Sequence, residues 1–140
     1  IGNVLYTHGG ISQDVNKASY SLDQINEKAR PYYDQAQLMH GIADSVLKKL
    51  FSADGPFWYR GYYEKGTEGL VDSTLAKYGV KRVITGHTII SDHISTKFNN
   101  KVINTDVHHA EGKSEALFIE NNKYYRMESS GKKTLLFEDK

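Results

Sequence analysis

The sequence predicts an α/β fold whose C-terminal part is mainly antiparallel β-structure. A short apolar run, Ile1 to Tyr6, reads as a buried strand, and a second one, Val80 to Ile84, follows after helical segments. Beyond residue 88 short apolar or alternating runs are separated by turn residues. A strand, helices, another strand and then a series of antiparallel strands is the order of an α/β domain with a β-rich end.

Composition narrows the class of protein. The 140 residues make one ordinary domain, with 39% apolar and 25% charged residues and a net charge of +1, so no basic surface points to nucleic acid or an anionic membrane. The chain has no Cys, which excludes disulfides and thiolate chemistry, and no apolar run that could span a bilayer. It shows no signal peptide at Ile1, and we expect a soluble protein. A chain without Cys tolerates either redox environment, so both a cytoplasmic and a periplasmic location stay open. Because the chain opens on a core strand without Met, we expect Ile1 to lie inside a longer gene product.

The first half of the chain contains three helical patterns. Leu22 to Arg30 is predicted as a short helix with Ser21 as its N-cap, and Pro31 interrupts the pattern or opens the next helix. Gly66 to Tyr78 is predicted as a helix that Gly79 ends. A longer helix is predicted over Tyr32 to Leu50, where His40 lies beside a core-facing stripe of Leu38, Met39, Ile42, Ala43, Val46, Leu47 and Leu50.

The second half is predicted as strands joined by tight turns. Asn99-Asn100 and Asn121-Asn122 are expected to form hairpin turns, because Asn tolerates left-handed backbone conformations. The predicted strands are Ile89 to Phe98, Lys101 to Thr105, Glu115 to Glu120, Lys123 to Met127 and Thr134 to Phe137.

Two histidines each follow a predicted strand and each lie beside glycine. His8 precedes Gly9-Gly10, and His87 follows Gly86. If the two strands are adjacent and parallel, both histidines lie at the carboxyl edge of the sheet, where open α/β sheets bind ligands. Imidazole suits Zn, Mn or Fe, and the guanidinium of Arg60, in an aromatic loop, suits phosphate oxygens. The pattern therefore favours a phosphoester site over the alternative of polar residues in ordinary turns.

Four strings of the sequence resemble a known family. They are LYTHGGIS at 5–12, GPFWYRGY at 55–62, VITGHTII at 83–90 and INTDVHHAEG at 103–112. In this order they resemble the C-terminal half of the calcineurin-like metallophosphoesterases, and more narrowly the Shewanella-like branch of the phosphoprotein phosphatases. The resemblance implies that residues 1–140 are the C-terminal portion of a metallophosphoesterase domain. It also implies that they form part of a four-layer α-β-β-α sandwich.

The resemblance also implies roles for individual residues. His8 and His87 are expected to bind one of two divalent metal ions, Mn, Fe or Zn, and Arg60 to bind the substrate phosphate. His108 is expected at the rim of the site. Trp58 and Tyr59 are expected to form a wall for an aromatic phosphoester, or alternatively to pack their loop against the body of the domain. Asp106 and His108 on a strand would share one face, with His109 on the other.

The chain departs from the family pattern in one respect. The family's GDxHG, GDxxDRG and GNHE motifs lie upstream of the HGG string, and this chain contains none of them. Since these motifs carry the bridging carboxylates, we expect weak or no metal binding and no activity in this chain alone. For the intact protein we expect hydrolysis of a phosphoprotein, at serine/threonine or tyrosine, or of a small phosphoester.

Other interpretations of the resemblance stay open. The alternatives are a non-catalytic binding or structural module and a dinucleoside polyphosphate hydrolase. We also expect half of a sandwich to expose an uncovered sheet, through which the chain would dimerise or exchange strands.

Overall fold

The computed structural model describes residues 1–35 and 43–140 of the chain. Its first half is helical after one strand. The α-helices are α1 (Gln13–Lys17), α2 (Leu22–Ala29), α3 (Ser45–Leu50) and α4 (Glu68–Tyr78), and short 3-10 turns occupy Arg30–Tyr32, Gly61–Tyr63 and His109–Glu111. The strands are β1 (Val4–Thr7), β2 (Arg82–Thr85), β3 (Ser95–Lys97), β4 (Val102–Asn104), β5 (Glu115–Glu120), β6 (Lys123–Glu128) and β7 (Lys133–Glu138).

The strands form two sheets. In the first sheet the order is β1-β2-β4-β3, with β1, β2 and β4 parallel and β3 antiparallel to β4. The second sheet, β5-β6-β7, is antiparallel throughout. The mixed α/β class with an antiparallel end is thus confirmed.

The first sheet is covered on both faces, because successive strand residues point to opposite sides. Leu5, Val83 and Val102 pack into the cluster made with the helices. Their neighbours Val4, Ile84 and Ile103 pack into a second cluster, with Tyr124 and residues of the second sheet. The described residues thus form an α-β-β succession of layers.

The second sheet is tied to the first through one buried arginine. Arg82, at the start of β2, forms an ion pair with Asp139 at 2.5 Å. Its guanidinium lies 4.4 Å from the ring centre of Tyr124 and 4.7 Å from that of Phe137. These contacts bury the cation between aromatic faces while one carboxylate balances its charge.

Capping residues set the helix ends that the sequence predicts. Ser21 caps α2, accepting from the Gln24 backbone while the Gln24 side chain accepts in return, a complete capping box. Gly79 ends α4 in the left-handed conformation, at φ 62°. Pro31 lies in the first turn of a 3-10 helix, which confirms that it opens a helical turn.

The continuous helix predicted over Tyr32 to Leu50 is wrong. Asp44 is extended, at φ −68° and ψ 114°, and its carboxylate caps α3 by accepting from the backbone of Val46 and Leu47. An N-cap residue needs this non-helical conformation, so α3 begins anew at Ser45. Leu38, Met39, Ile42 and His40 lie outside the described residues.

Two further predictions need correction. The strand predicted over Ile89 to Phe98 is reduced to Ser95–Lys97, because Ile89 and Ile90 lie in an exposed loop after the second histidine. The polar segment after Ser12, for which the sequence analysis predicts no helix, contains α1, which Ser12 caps and Val15 anchors in the core. No helix in the part of the chain that the structure describes is long and apolar enough to cross a membrane.

Candidate active site

The two histidines that the sequence singles out lie side by side at the carboxyl ends of β1 and β2. Thr7 and Thr85, the last residues of these parallel strands, are register partners. One residue further on, the backbone N–H of Gly86 donates to the carbonyl of His8 at 2.9 Å. The rings of His8 and His87 follow, with centres 4.6 Å apart. The predicted juxtaposition is confirmed.

His87 occupies a strained turn. Its φ is 64°, a conformation that costs a non-glycine residue about 1–2 kcal/mol. The N–H of Thr88 donates to the carbonyl of Gly86 at 2.8 Å, which closes a three-residue turn centred on His87. Such strain persists only where surrounding contacts enforce it, and it is common at functional sites.

The ring of His87 presents a nitrogen that the described residues leave unpaired. Its Nε2 is buried and has no hydrogen-bond partner among them. Burial is the largest cause that lowers the pKa of His87, followed by the charges of Arg60 and His8. The charge of Asp106 acts in the opposite direction. The net effect favours the neutral imidazole, which is the form that binds metal ions.

The aromatic loop is fixed against the HGG turn by backbone contacts. The carbonyl of Pro56 accepts from the backbone N–H of Gly9 at 2.8 Å and from the hydroxyl of Thr7 at 3.0 Å. A Cβ on Gly9 would lie 2.8 Å from backbone atoms of Tyr59, so only glycine permits this approach. The loop therefore lies directly beside His8.

This loop brings an aromatic ring and a cation to the histidine pair. Trp58 contacts His87 edge-on, with ring centres 5.0 Å apart, and is 45% exposed. Arg60 is exposed and close enough for its charge to lower the pKa of His87. An open groove of about 400 Å³ beside the pair is lined in part by His8, Gly86 and Thr105. Trp58 and Arg60 line a second groove on the other side of the aromatic loop, together with Asp54 and Glu64.

The other two rim candidates make different contacts. Tyr59 packs edge-on against Tyr62, with ring centres 5.7 Å apart, and its hydroxyl lies where a side chain on Gly61 would be. These contacts agree with the alternative in which Tyr59 packs the loop. His108 lies 3.7 Å from Asp92 and 3.3 Å from Glu111, and its place at the rim stays a prediction.

The chain after β4 differs from its predicted form. β4 ends at Asn104, so Asp106 and His108 follow the strand and do not alternate along it, and His109 begins a 3-10 turn. Asn104 itself is buried in the floor of the site, where its amide bonds both the turn after His87 and the backbone of Asp106. The sequence analysis missed this role. No local signal marks it, because both of its partners are backbone groups.

Three further polar residues near the site motifs in sequence, Asp14, Asp92 and His93, have structural contacts. Asp14 lies in the first turn of α1, 3.0 Å from Lys49. Asp92 lies 3.0 Å from Lys113. His93 hydrogen bonds to Glu115 at 2.6 Å. These contacts join α1 to α3 and hold the loop at residues 92–93 against the segment from Lys113 to Glu115.

Within residues 1–35 and 43–140, no three His, Asp or Glu side chains are grouped closely enough to bind a metal ion. Two neighbouring imidazoles with an unpaired Nε2 are a suitable partial ligand set. The site as described is therefore a pair of histidines beside an exposed arginine and a half-exposed tryptophan. This combination is typical of enzymes that act on phosphoesters.

Comparison with known proteins agrees with that class. No family model matches the chain. The chain is 29% identical over 107 residues to Shewanella-like protein phosphatase 1 of Plasmodium berghei, covering 71% of this chain and 28% of that protein. The solved structure of a cold-active protein-tyrosine phosphatase from a psychrophilic Shewanella species matches with a TM-score of 0.85 and 36% identity, over 96% of this chain and 41% of that one. Another structure of a cold-active protein tyrosine phosphatase gives a TM-score of 0.84 over 97% of this chain and 40% of that one.

The resemblance to the Shewanella-like branch of the protein phosphatases is thus confirmed in sequence and in fold. The chain spans less than half the length of each of these relatives. The activity of a whole protein of that length is accordingly a matter of proposal.

Proposed function

We propose that this chain supplies half of the active site of a metal-dependent phosphoprotein phosphatase. The observation that carries the proposal is the contact between His8 and His87 at the ends of adjacent parallel strands, with the buried Nε2 of His87 unpaired. A pair of neutral imidazoles so placed fits Mn, Fe or Zn. The fold similarity to phosphatases at 36% identity supports it independently.

Each residue of the site has a separate task in this proposal. His8 and His87 would hold one of two divalent ions, which supply an activated water and charge neutralisation when bound. Arg60 would bind the phosphate through its planar fork of N–H donors and neutralise charge that builds on the phosphate oxygens. Trp58, half-exposed beside His87, would lie against the organic part of the substrate.

The chain alone is proposed to be inactive. Two imidazoles lack the carboxylates that a dinuclear centre needs, and the described residues offer no third ligand of the His, Asp or Glu type at the pair. We propose that residues outside this chain complete the centre and add the fourth layer of an α-β-β-α sandwich. A phosphoprotein is the proposed substrate, since the named relatives are protein phosphatases.

The test is hydrolysis of para-nitrophenyl phosphate with Mn²⁺, by this chain and by the protein extended at its amino terminus to the length of its relatives. We expect activity in the extended protein alone, and a loss of at least 100-fold in His8→Ala and His87→Ala. The matched control is His109→Ala, which removes an exposed histidine of the 3-10 turn. No activity in either form would contradict the proposal and favour a binding module.

Substrate class is tested on the same extended protein. Phosphotyrosyl, phosphoseryl and phosphothreonyl peptides of one sequence are compared with a dinucleoside polyphosphate by release of phosphate. We expect a preference for the peptides and a further decrease for Trp58→Ala on the phosphotyrosyl peptide. Faster hydrolysis of the dinucleoside polyphosphate would overturn the phosphoprotein assignment.

We also propose that the isolated chain associates through the open edge of β1. This strand is at the edge of its sheet, and Tyr6 on it is 49% exposed beside an apolar groove that Leu22, Tyr33 and Phe57 help to line. Exposed edge strands pair readily with other chains. Sedimentation velocity should show a dimer whose population rises with concentration and falls in Tyr6→Lys. A monomer at all concentrations that unfolds cooperatively would contradict this expectation.

A further inference from the structure

Asn104 connects the strained turn at His87 to the segment that carries Asp106. It is the last residue of β4 and only 1% exposed. Its Nδ2 donates to the carbonyl of Thr88 at 2.8 Å, and its Oδ1 accepts from the backbone N–H of Asp106 at 2.9 Å. One side chain thus uses both its donor and its acceptor on backbone groups from two loops of the site.

The position of Thr88 makes the first of these bonds significant. The N–H of Thr88 closes the turn around His87, and its carbonyl accepts from Asn104. Both backbone groups of the residue after His87 are therefore fixed. Because a turn with φ 64° at a histidine relaxes unless it is held, the amide of Asn104 opposes that relaxation.

The chemistry of the amide explains the residue type. A carboxylate in this place would lose the donor and set an oxygen against the carbonyl of Thr88. An aliphatic side chain would leave that carbonyl and the N–H of Asp106 without their partner. An asparagine satisfies both groups at this depth in the fold.

We propose that Asn104 is a positioning residue for His87. It holds the turn so that the imidazole of His87 stays against His8 with its Nε2 free for a ligand. It also ties the backbone of Asp106 to the same amide. A catalytic meaning for Asn104 rests on the proposed phosphatase function. The position of the His87 ring can be measured without any activity.

The test measures the histidine rings directly. In ¹⁵N-labelled protein, long-range ¹H–¹⁵N spectra report each imidazole, and a ring-to-ring nuclear Overhauser effect reports the contact of His8 with His87. We expect Asn104→Asp to shift the His87 signals and to weaken this effect at least twofold.

A matched control separates positioning from stability. Thr74 is as deeply buried as Asn104 and bonds three partners, Asn16, Tyr62 and the carbonyl of Leu70, but it lies on α4 and contacts neither the turn at His87 nor the backbone of Asp106. Thr74→Val should lower the unfolding midpoint and leave the His87 signals in place. If Thr74→Val moves them equally, or Asn104→Asp does not move them, the positioning role is wrong. Should Asn104→Asp fail to fold, Asn104→Ser, which is too short to reach Thr88, decides the question by the same criteria.

Activity gives the second measurement. In the extended protein, loss of a residue that orients a metal ligand typically lowers metal affinity or activity by about 10–100-fold. For Asn104→Asp we expect either a kcat lowered by this factor at saturating Mn²⁺, or a Mn²⁺ concentration for half-maximal activity raised by this factor. If the unsubstituted extended protein shows no phosphatase activity, the proposed function is refuted. If Asn104→Asp still alters the ring signals in that case, the positioning of His87 by Asn104 stands.

Discussion

Adding one methyl group at Gly9 should damage the site, whereas the same change at Gly86 should not. The two glycines flank the two site histidines and lie on adjacent strand ends. A Cβ on Gly9 would lie 2.8 Å from both the backbone N and O of Tyr59 and 3.1 Å from the backbone N of Trp58. A Cβ on Gly86 would lie 3.8 Å from the carbonyl of His8, which is an ordinary contact.

The magnitude follows from what the methyl meets. Backbone atoms cannot rotate away as a side chain would, so Gly9→Ala should cost about 1–3 kcal/mol of unfolding free energy through overpacking. Neither glycine has a positive φ, so alanine carries no conformational penalty at either position. Gly86→Ala should therefore be neutral or gain up to about 1 kcal/mol, because alanine restricts the unfolded chain.

Urea unfolding followed by circular dichroism measures the difference. With a slope of about 2 kcal/mol per molar urea, Gly9→Ala should lower the midpoint by roughly 1 M and leave the slope unchanged. In the extended protein it should also lower kcat/KM, because the displaced backbone carries Trp58 and Arg60. Equal midpoints for the two variants would refute the argument that the loop touches Gly9 directly.

Two further changes test the core. Burial raises the pKa of Tyr62 to about 12, against 10 for a free tyrosine, so stability that is complete below pH 10 should fall by about 2–3 kcal/mol between pH 10 and 12. Tyr62→Phe should cost about 1 kcal/mol of unfolding free energy at pH 7, because the backbone N–H of Ile11 loses its bond to the hydroxyl. The variant should also show a smaller fall of the urea midpoint between pH 10 and 12. An equal fall in the variant and the parent would contradict the role of Tyr62. Asp139→Asn should cost about 2–3 kcal/mol, because it leaves the buried Arg82 without its counter-charge. The control is Lys132→Ala, which removes an exposed ion pair with Glu128 and should cost less than about 0.5 kcal/mol of unfolding free energy. Similar losses of stability in Asp139→Asn and Lys132→Ala would contradict the argument from burial.

The parts of the fold that could be predicted are those with a local physical signal. Asn99, Asn100, Asn121 and Asn122 all have positive φ, as the turn chemistry of Asn predicts. The capping box at Ser21 and the left-handed Gly79 likewise follow from side chains that act within a few residues. The pairing of His8 with His87 was predictable because adjacent parallel strands carry their next residues to one edge.

The errors arose where apolar spacing competes with a capping residue or a loop. The stripe through Val46, Leu47 and Leu50 has helical spacing, but Asp44 starts the helix by its own hydrogen bonds. Ile89 and Ile90 resemble strand residues because they are β-branched, yet the turn at His87 directs them to solvent. Asn104 was invisible as a site residue because its partners, Thr88 and Asp106, are backbone groups that any sequence would provide.

The surroundings of His8 differ from those of His87, and this difference bears on how the proposed metal centre would be completed. β2 and β4 are flanked by strands on both sides, so the end of β2 is enclosed and His87 is half-buried. β1 has a partner on one side alone, and the exposed His8 follows it. On the β2–β4 side, among the residues that the structure describes, the charge of Asp106 acts on His87. The remaining carboxylates of a two-metal site would then have to approach past the free edge of β1. A segment that pairs with this edge would therefore complete the sheet and the metal centre in one step.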